Sequence, residues 1–130
     1  MAYTVSTDDG HELIDVRYRG CVSIGSRIQA MNETLVLLDS TGYRRIMVDY
    51  LEAKAHLDSL ASASAFASLI SSDPQLRQCR ITFVGSRTQQ FNAVVETLAD
   101  ARHYPFKRFY DRASALAWLL SSASRFEPAD

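Results

Sequence analysis

The sequence predicts an α/β protein: a single-domain mixed sheet, mostly parallel, with helices packed on it. Three observations carry that expectation. Short runs rich in β-branched and aromatic residues recur along the chain, at "YTVST", "ELIDVRYRG", "RRIMVDY", "CRITFVGS" and "FKRFY". Between the later runs lie segments whose apolar residues return every three or four positions, the helical period. The order is therefore ββαβαβαβα. Strands alternating with helices imply right-handed crossovers and parallel pairing, and the N-terminal pair adds one antiparallel strand.

The first two runs are separated by Asp8-Asp9-Gly10-His11. Asp-Gly between strand-like runs signals a hairpin, because tight turns use positive φ. In the second run Ile14, Val16 and Tyr18 alternate with Asp15, Arg17 and Arg19, which predicts one buried and one wet face. Ser23 then precedes Ile24, Ile28, Met31, Leu35 and Leu38, an apolar stripe at helical spacing. Ser23 is placed to cap a helix over residues 24–41, and Gly42 to supply its left-handed stop. Ile46-Met47-Val48 is a nearly continuous apolar run, as a strand covered on both faces requires.

"LEAKAHLD" reads as a loop, followed by a second helix over residues 59–71 that Asp73-Pro74 terminates. After the fourth strand, Phe91, Val94, Val95, Leu98 and Ala101 mark a third helix over residues 88–103. After the fifth, Asp111 caps a last helix carrying Leu116, Trp118, Leu119 and Leu120. The domain is expected to span residues 1–121, and 122–130 to form a polar tail.

With 130 residues, 47% of them apolar and 22% charged, the chain needs neither metal nor disulfide to support a core. A formal net charge of −1 gives no general attraction to nucleic acid or an anionic membrane. Cys21 and Cys79 lie among apolar strand-like residues, where a free thiol acts as a small hydrophobe. "MAYTVSTDDG" lacks the basic start and apolar centre of a signal peptide. No apolar run reaches the roughly 18 residues of a membrane span. A cytoplasmic protein without stable membrane insertion is the expectation. "ARHYPFKRFYDR" interleaves basic and aromatic residues, but strand alternation explains it more simply than nucleic-acid binding.

Three segments in this order resemble the STAS/SpoIIAA-like superfamily, in particular its stand-alone bacterial SpoIIAA-like members. They are "GCVS" opening the first helix, "RRIMVDY" as the third strand, and "FYDRASALAWLL" at the end. Gly20, Val22 and Ser23 match the family's Gly-x-Val/Ile-Ser/Thr element, and Val48 with Asp49 its Val-Asp strand end. Asp111, Ala115, Trp118 and Leu119 match its final helix. The resemblance implies a SpoIIAA-like mixed sheet, related in architecture to CRAL-TRIO domains. It also implies no conventional catalytic machinery and no cofactor.

The family's roles include phosphorylation-controlled partner binding and suspected binding of lipids or other small apolar ligands. Its antagonists carry the phosphoacceptor in an Asp-Ser-Ser/Thr-Gly motif at the helix start after the Val-Asp strand. "DSTG" at residues 39–42 has those letters on the wrong side of that strand, where a phosphate would meet a negative helix end. Asp58-Ser59 holds the corresponding position without the motif's glycine, as a helix cap, a phosphoacceptor or a contact for a protein partner.

A second candidate region gathers at the expected carboxyl ends of the strands, where open α/β sheets bind ligands. It comprises Asp49, Tyr50 and His56 after the third strand, and Gly85, Ser86 and Arg87 after the fourth. The chain carries no GxGxxG, Walker loop or GxSxG elbow. An enzyme built on Asp49, His56 and Asp58 is the weaker alternative, and no metal is expected there. The leading expectation is a non-enzymatic binding protein. Its partner is another protein or, alternatively, a lipid or small apolar ligand, and a homodimer is compatible with the sequence.

Overall fold

Alternating side chains divide this protein into an aromatic interior and a charged exterior on one sheet. The computed structural model describes residues 3–55, 65, 66, 68, 69, 72–86 and 106–121. Five strands pair in chain order: β1 (Tyr3–Asp8), β2 (Leu13–Val22), β3 (Arg45–Ala55), β4 (Arg80–Val84) and β5 (Phe106–Phe109). β1 runs antiparallel to β2, and every other pair is parallel. Helix α1 (Ile24–Thr41) packs on β1 and β2, and helix α2 (Arg112–Leu120) on β3, β4 and β5. The mixed α/β sheet expected from the sequence is thus present. The third helix and the C-terminal tail lie outside the described residues.

The hairpin closes differently from the Asp-Gly expectation. Asp8 and Leu13 are the last paired residues, and positive φ falls on Glu12, at 54°, rather than on Gly10. A four-residue loop needs no mirror-image turn at its centre. The Asp8 carboxylate instead accepts from the His11 backbone N–H at 3.3 Å and contacts its Nδ1 at 2.7 Å.

α1 begins and ends where local chemistry dictates. The Ser23 hydroxyl accepts from the Ser26 N–H at 3.1 Å. Gly42 takes φ 76° and donates its N–H to the Leu38 carbonyl at 2.9 Å. The buried line of the helix is Arg27, Ala30, Thr34 and Leu38, whereas Ile24, Ile28, Met31 and Leu35 are only partly buried. The expected stripe therefore forms a flank rather than the centre. Ala30 and Thr34 let the helix approach the sheet closely, and Thr34 satisfies its hydroxyl on the Ala30 carbonyl at 2.8 Å.

β3 is longer than expected, because "LEAKA" is strand and not loop. Residues 52–55 pair with Arg19 to Val22, and a bulge sets Tyr18 against both Tyr50 and Leu51. The extra residue keeps Tyr50 on the interior face and turns Leu51 outward, 39% exposed. Propensity is overridden here by the open backbone groups of β2, which runs on to Val22 and needs a partner.

Beyond β3, residues 65, 66, 68, 69 and 72 are helical, and Phe66 is buried in the interior cluster. Asp73 leaves the helix, and its carboxylate accepts from the N–H groups of Gln75 and Leu76. α2 starts at Asp111 as expected, with the carboxylate accepting from the Ser114 N–H at 2.7 Å. Its buried residues are Ala115, Trp118 and Leu119, while Leu120 is 42% exposed.

The two clusters lie on opposite faces. Ile14, Val16, Tyr18, Ile46, Tyr50, Ile81 and Phe83 form the interior core, and Leu13, Met47 and Val84 pack under α2. α2 does not reach β1, so Thr4 and Ser6 are exposed. Cys79 is buried as expected, but Cys21 is exposed, since its strand end has solvent on the outer side. No helix among the described residues is long and apolar enough to cross a membrane.

Candidate functional site

Asp49 and Tyr50, adjacent in sequence, point to opposite faces of β3 and belong to different environments. Tyr50 is 5% exposed and stacks on Tyr18, with centroids 4.9 Å apart and rings 5° from parallel. The row continues through Tyr3, Phe83 and Phe106, so aromatic rings cross all five strands. The guanidinium of Arg27 lies 5.5 Å from the Tyr50 centroid and 6.0 Å from that of Phe66, a cation–π clamp from α1. Burial, together with the neighbouring Tyr50, pushes the Tyr18 hydroxyl well above its ordinary pKa, so it stays protonated. Between α1 and this row is an apolar cavity of about 60 Å3, with Tyr18, Arg27, Met31, Tyr50, Phe66 and Phe83 among its walls.

On the outer face, Asp49 is 6% exposed and both its oxygens are engaged. Oδ1 accepts from the Leu51 N–H at 2.8 Å, which fixes the bulge, and Oδ2 accepts from Arg112 Nη1 at 2.7 Å. Asp49 thus holds the backbone of β3, and an ion pair is added to that role. Arg112 also donates from Nη2 to Asp15 Oδ2 at 2.6 Å, and Arg17 Nε reaches the same oxygen at 3.3 Å. Burial acts against the charge on Arg112. The hydrogen bonds to Asp15 and Asp49, with their negative charges, outweigh it and raise its pKa.

Asp15 was expected on a wet face. It is 9% exposed because Arg112, the first residue of α2, lies over it. Sequence reasoning missed this network. The signal was a carboxylate at the end of an apolar strand, since a buried charge requires a partner.

Gly85 and Ser86 continue the contact between β4 and β5 past the last paired residues. The Gly85 N–H donates to the Phe109 carbonyl at 3.1 Å, and the Ser86 carbonyl accepts from Arg108 at 3.3 Å. His56, Asp58, Ser59 and Arg87 lie outside the described residues. Among the described residues the strand order has no reversal, and so no topological switch point. Among the described residues, no three His, Cys, Asp or Glu side chains gather as a metal site.

The surface left by this arrangement is the outer side of β2 and β3 past the bulge. Arg19, Cys21, Glu52 and Lys54 are all exposed there. Arg19 faces Glu52 across the pair with N···O 3.4 Å, and Cys21 faces Lys54. The fold and this surface define a small mixed α/β protein whose sheet, among the described residues, is only partly covered on its outer face. No family model and no curated protein matches the chain.

Proposed function

We propose that the protein is a non-enzymatic, STAS-like binding protein that acts through contacts with another protein. The observation that carries this reading is the exposed outer surface at Arg19, Cys21, Glu52 and Lys54. A rigid sheet surface with both signs of charge suits electrostatic selection of a partner better than chemistry on a small substrate. Asp58-Ser59 follows the end of β3 by three residues in sequence and remains the proposed point of contact or phosphorylation.

The carrier alternative has less behind it. The cavity of about 60 Å3 suits a ligand of a few atoms, whereas small-molecule sites usually measure a few hundred Å3. Enzymatic use of Asp49 has least, because both of its oxygens are already bound.

Cys21 supplies the test, being exposed while Cys79 is 0% exposed. A thiol-linked photocrosslinker on Cys21, used in extract of the native host, should capture one discrete protein. The double variant Arg19→Glu/Lys54→Glu should abolish that product. The same product from the charge-reversed variant, or from a probe at Val36→Cys on α1 in a Cys21→Ser background, would sink the proposal. A small mass retained in native mass spectrometry, without any crosslink, would favour the carrier instead.

A further inference from the structure

The opposite end of the sheet carries a feature that the proposed partner surface does not use. β3 and β4 are parallel and start in register, with Arg45 beside Arg80. Arg44 precedes them, so three arginines meet at one edge. They line a groove of about 490 Å3, together with Glu12, Tyr43 and Gln78.

Two of the three are held in place by the end of α2. Arg45 donates from Nε to the Leu119 carbonyl at 3.1 Å and from Nη1 to the His11 carbonyl at 2.8 Å. Arg80 Nη1 donates to the Trp118 carbonyl at 2.6 Å and the Ser121 carbonyl at 2.8 Å. These bonds satisfy carbonyls that a helix end leaves open, and they place positive charge at its negative pole. They explain the positions of Arg45 and Arg80. Arg44 is exposed and donates to the carbonyl of its own neighbour Tyr43 at 2.8 Å, which gives it no part in docking α2. Glu12 is the one acid among the described lining residues.

A groove of ligand size with oriented guanidinium forks, in which Arg44 and Arg45 face one acid, Glu12, among the described lining residues, matches phosphate chemistry. We infer that this groove binds a multiply charged, phosphate-bearing small molecule. Arg44 and Arg45 are the contacts, and Arg80 lines the groove beside them. The inference is independent of the partner surface at the other end of the sheet.

The site contains its own reporter. Trp118 is the sole tryptophan of the chain, and the Arg80 guanidinium lies 5.0 Å from its ring centroid. An anion that draws on Arg80 changes the electrostatic field at the indole. The full chain is titrated with inorganic pyrophosphate at constant ionic strength, following Trp118 emission and the amide NMR signals of Gly42 and Tyr43.

A saturable response is expected, tighter for pyrophosphate than for inorganic phosphate and weaker as salt rises. Arg44→Ala should weaken it about tenfold or more at unchanged thermal stability, for loss of a charge-assisted contact. Arg19→Ala, at the far end, should leave it unchanged. No saturation in either readout, the same response to chloride, equal affinity for the two phosphates, or an Arg44→Ala variant that titrates like the parent would each overturn the inference.

Discussion

The two faces of this sheet are built from alternate residues of the same strands, yet they are held by different physics. On the α1 side, a row of aromatic rings and aliphatic side chains excludes water, with Ile14, Leu38 and Val22 fully buried. On the α2 side, a smaller apolar cluster gives way to the Asp15–Arg112–Asp49 network and then to solvent. Apolar burial is additive and indifferent to direction, so it stabilises the whole α1 face. The ionic network depends on geometry: its worth lies in leaving no buried charge alone, and it fixes where α2 sits. The contrast separates what holds the fold from what positions its surface.

The largest effect should come from emptying the α1 face. Ile14→Ala removes a side chain of 0% exposure from the middle of the interior core. It should cost about 2–5 kcal/mol in urea unfolding, through lost burial and the cavity left behind. Ser6→Ala, one strand away and exposed on the outer face, should change stability by less than about 0.5 kcal/mol. Comparable losses from the two substitutions would break the distinction between the faces.

The network should give an intermediate effect. Asp49→Ala takes one of two carboxylates from Arg112 and the acceptor from the Leu51 N–H. Removing one partner of a fully buried pair is costly, but the Arg112 side chain is 31% exposed and solvent shares the load. A loss of about 1–3 kcal/mol is expected. Arg112→Met in the Asp49→Ala background should cost less than it does alone, because the charge it removes has already lost a partner. Additive effects in that double-mutant cycle would show that the two residues act independently.

What was legible in the sequence followed how local each cause is. Both ends of α1 were readable because Ser23 and Gly42 act on backbone groups within four residues of themselves. The cap of α2 was readable at Asp111 for the same reason. The outer half of β3 was not, since "LEAKA" has little strand character of its own and is drawn into the sheet by β2. The burial of Asp15 was not either, because its partner Arg112 stands 97 residues away. Alternation set the two faces correctly and could not say which charges a distant helix would cover. The candidate site suffered most: Asp49 and Tyr50 were read as one region, and the pleat sends them to opposite sides.

The smallest effect concerns the start of α2, where a charge rather than a packing contact is in question. Asp111 accepts from the Ser114 N–H at 2.7 Å and from its hydroxyl at 3.0 Å. These bonds hold its pKa below the ordinary value of 3.8. The ionised form is therefore favoured by folding. Its contribution is present above the unfolded-state pKa and is lost as pH falls through the lower folded value. Asn at the same position still caps the helix but carries no charge for the helix dipole. Asp111→Asn should thus melt slightly below the parent at pH 7, and the two melting curves should converge as the pH is taken below 3.8. A gap that persists unchanged into acid would assign the role of Asp111 to hydrogen-bond geometry alone. The α2 face would then owe its charge dependence to the Arg112 network and not to the helix end.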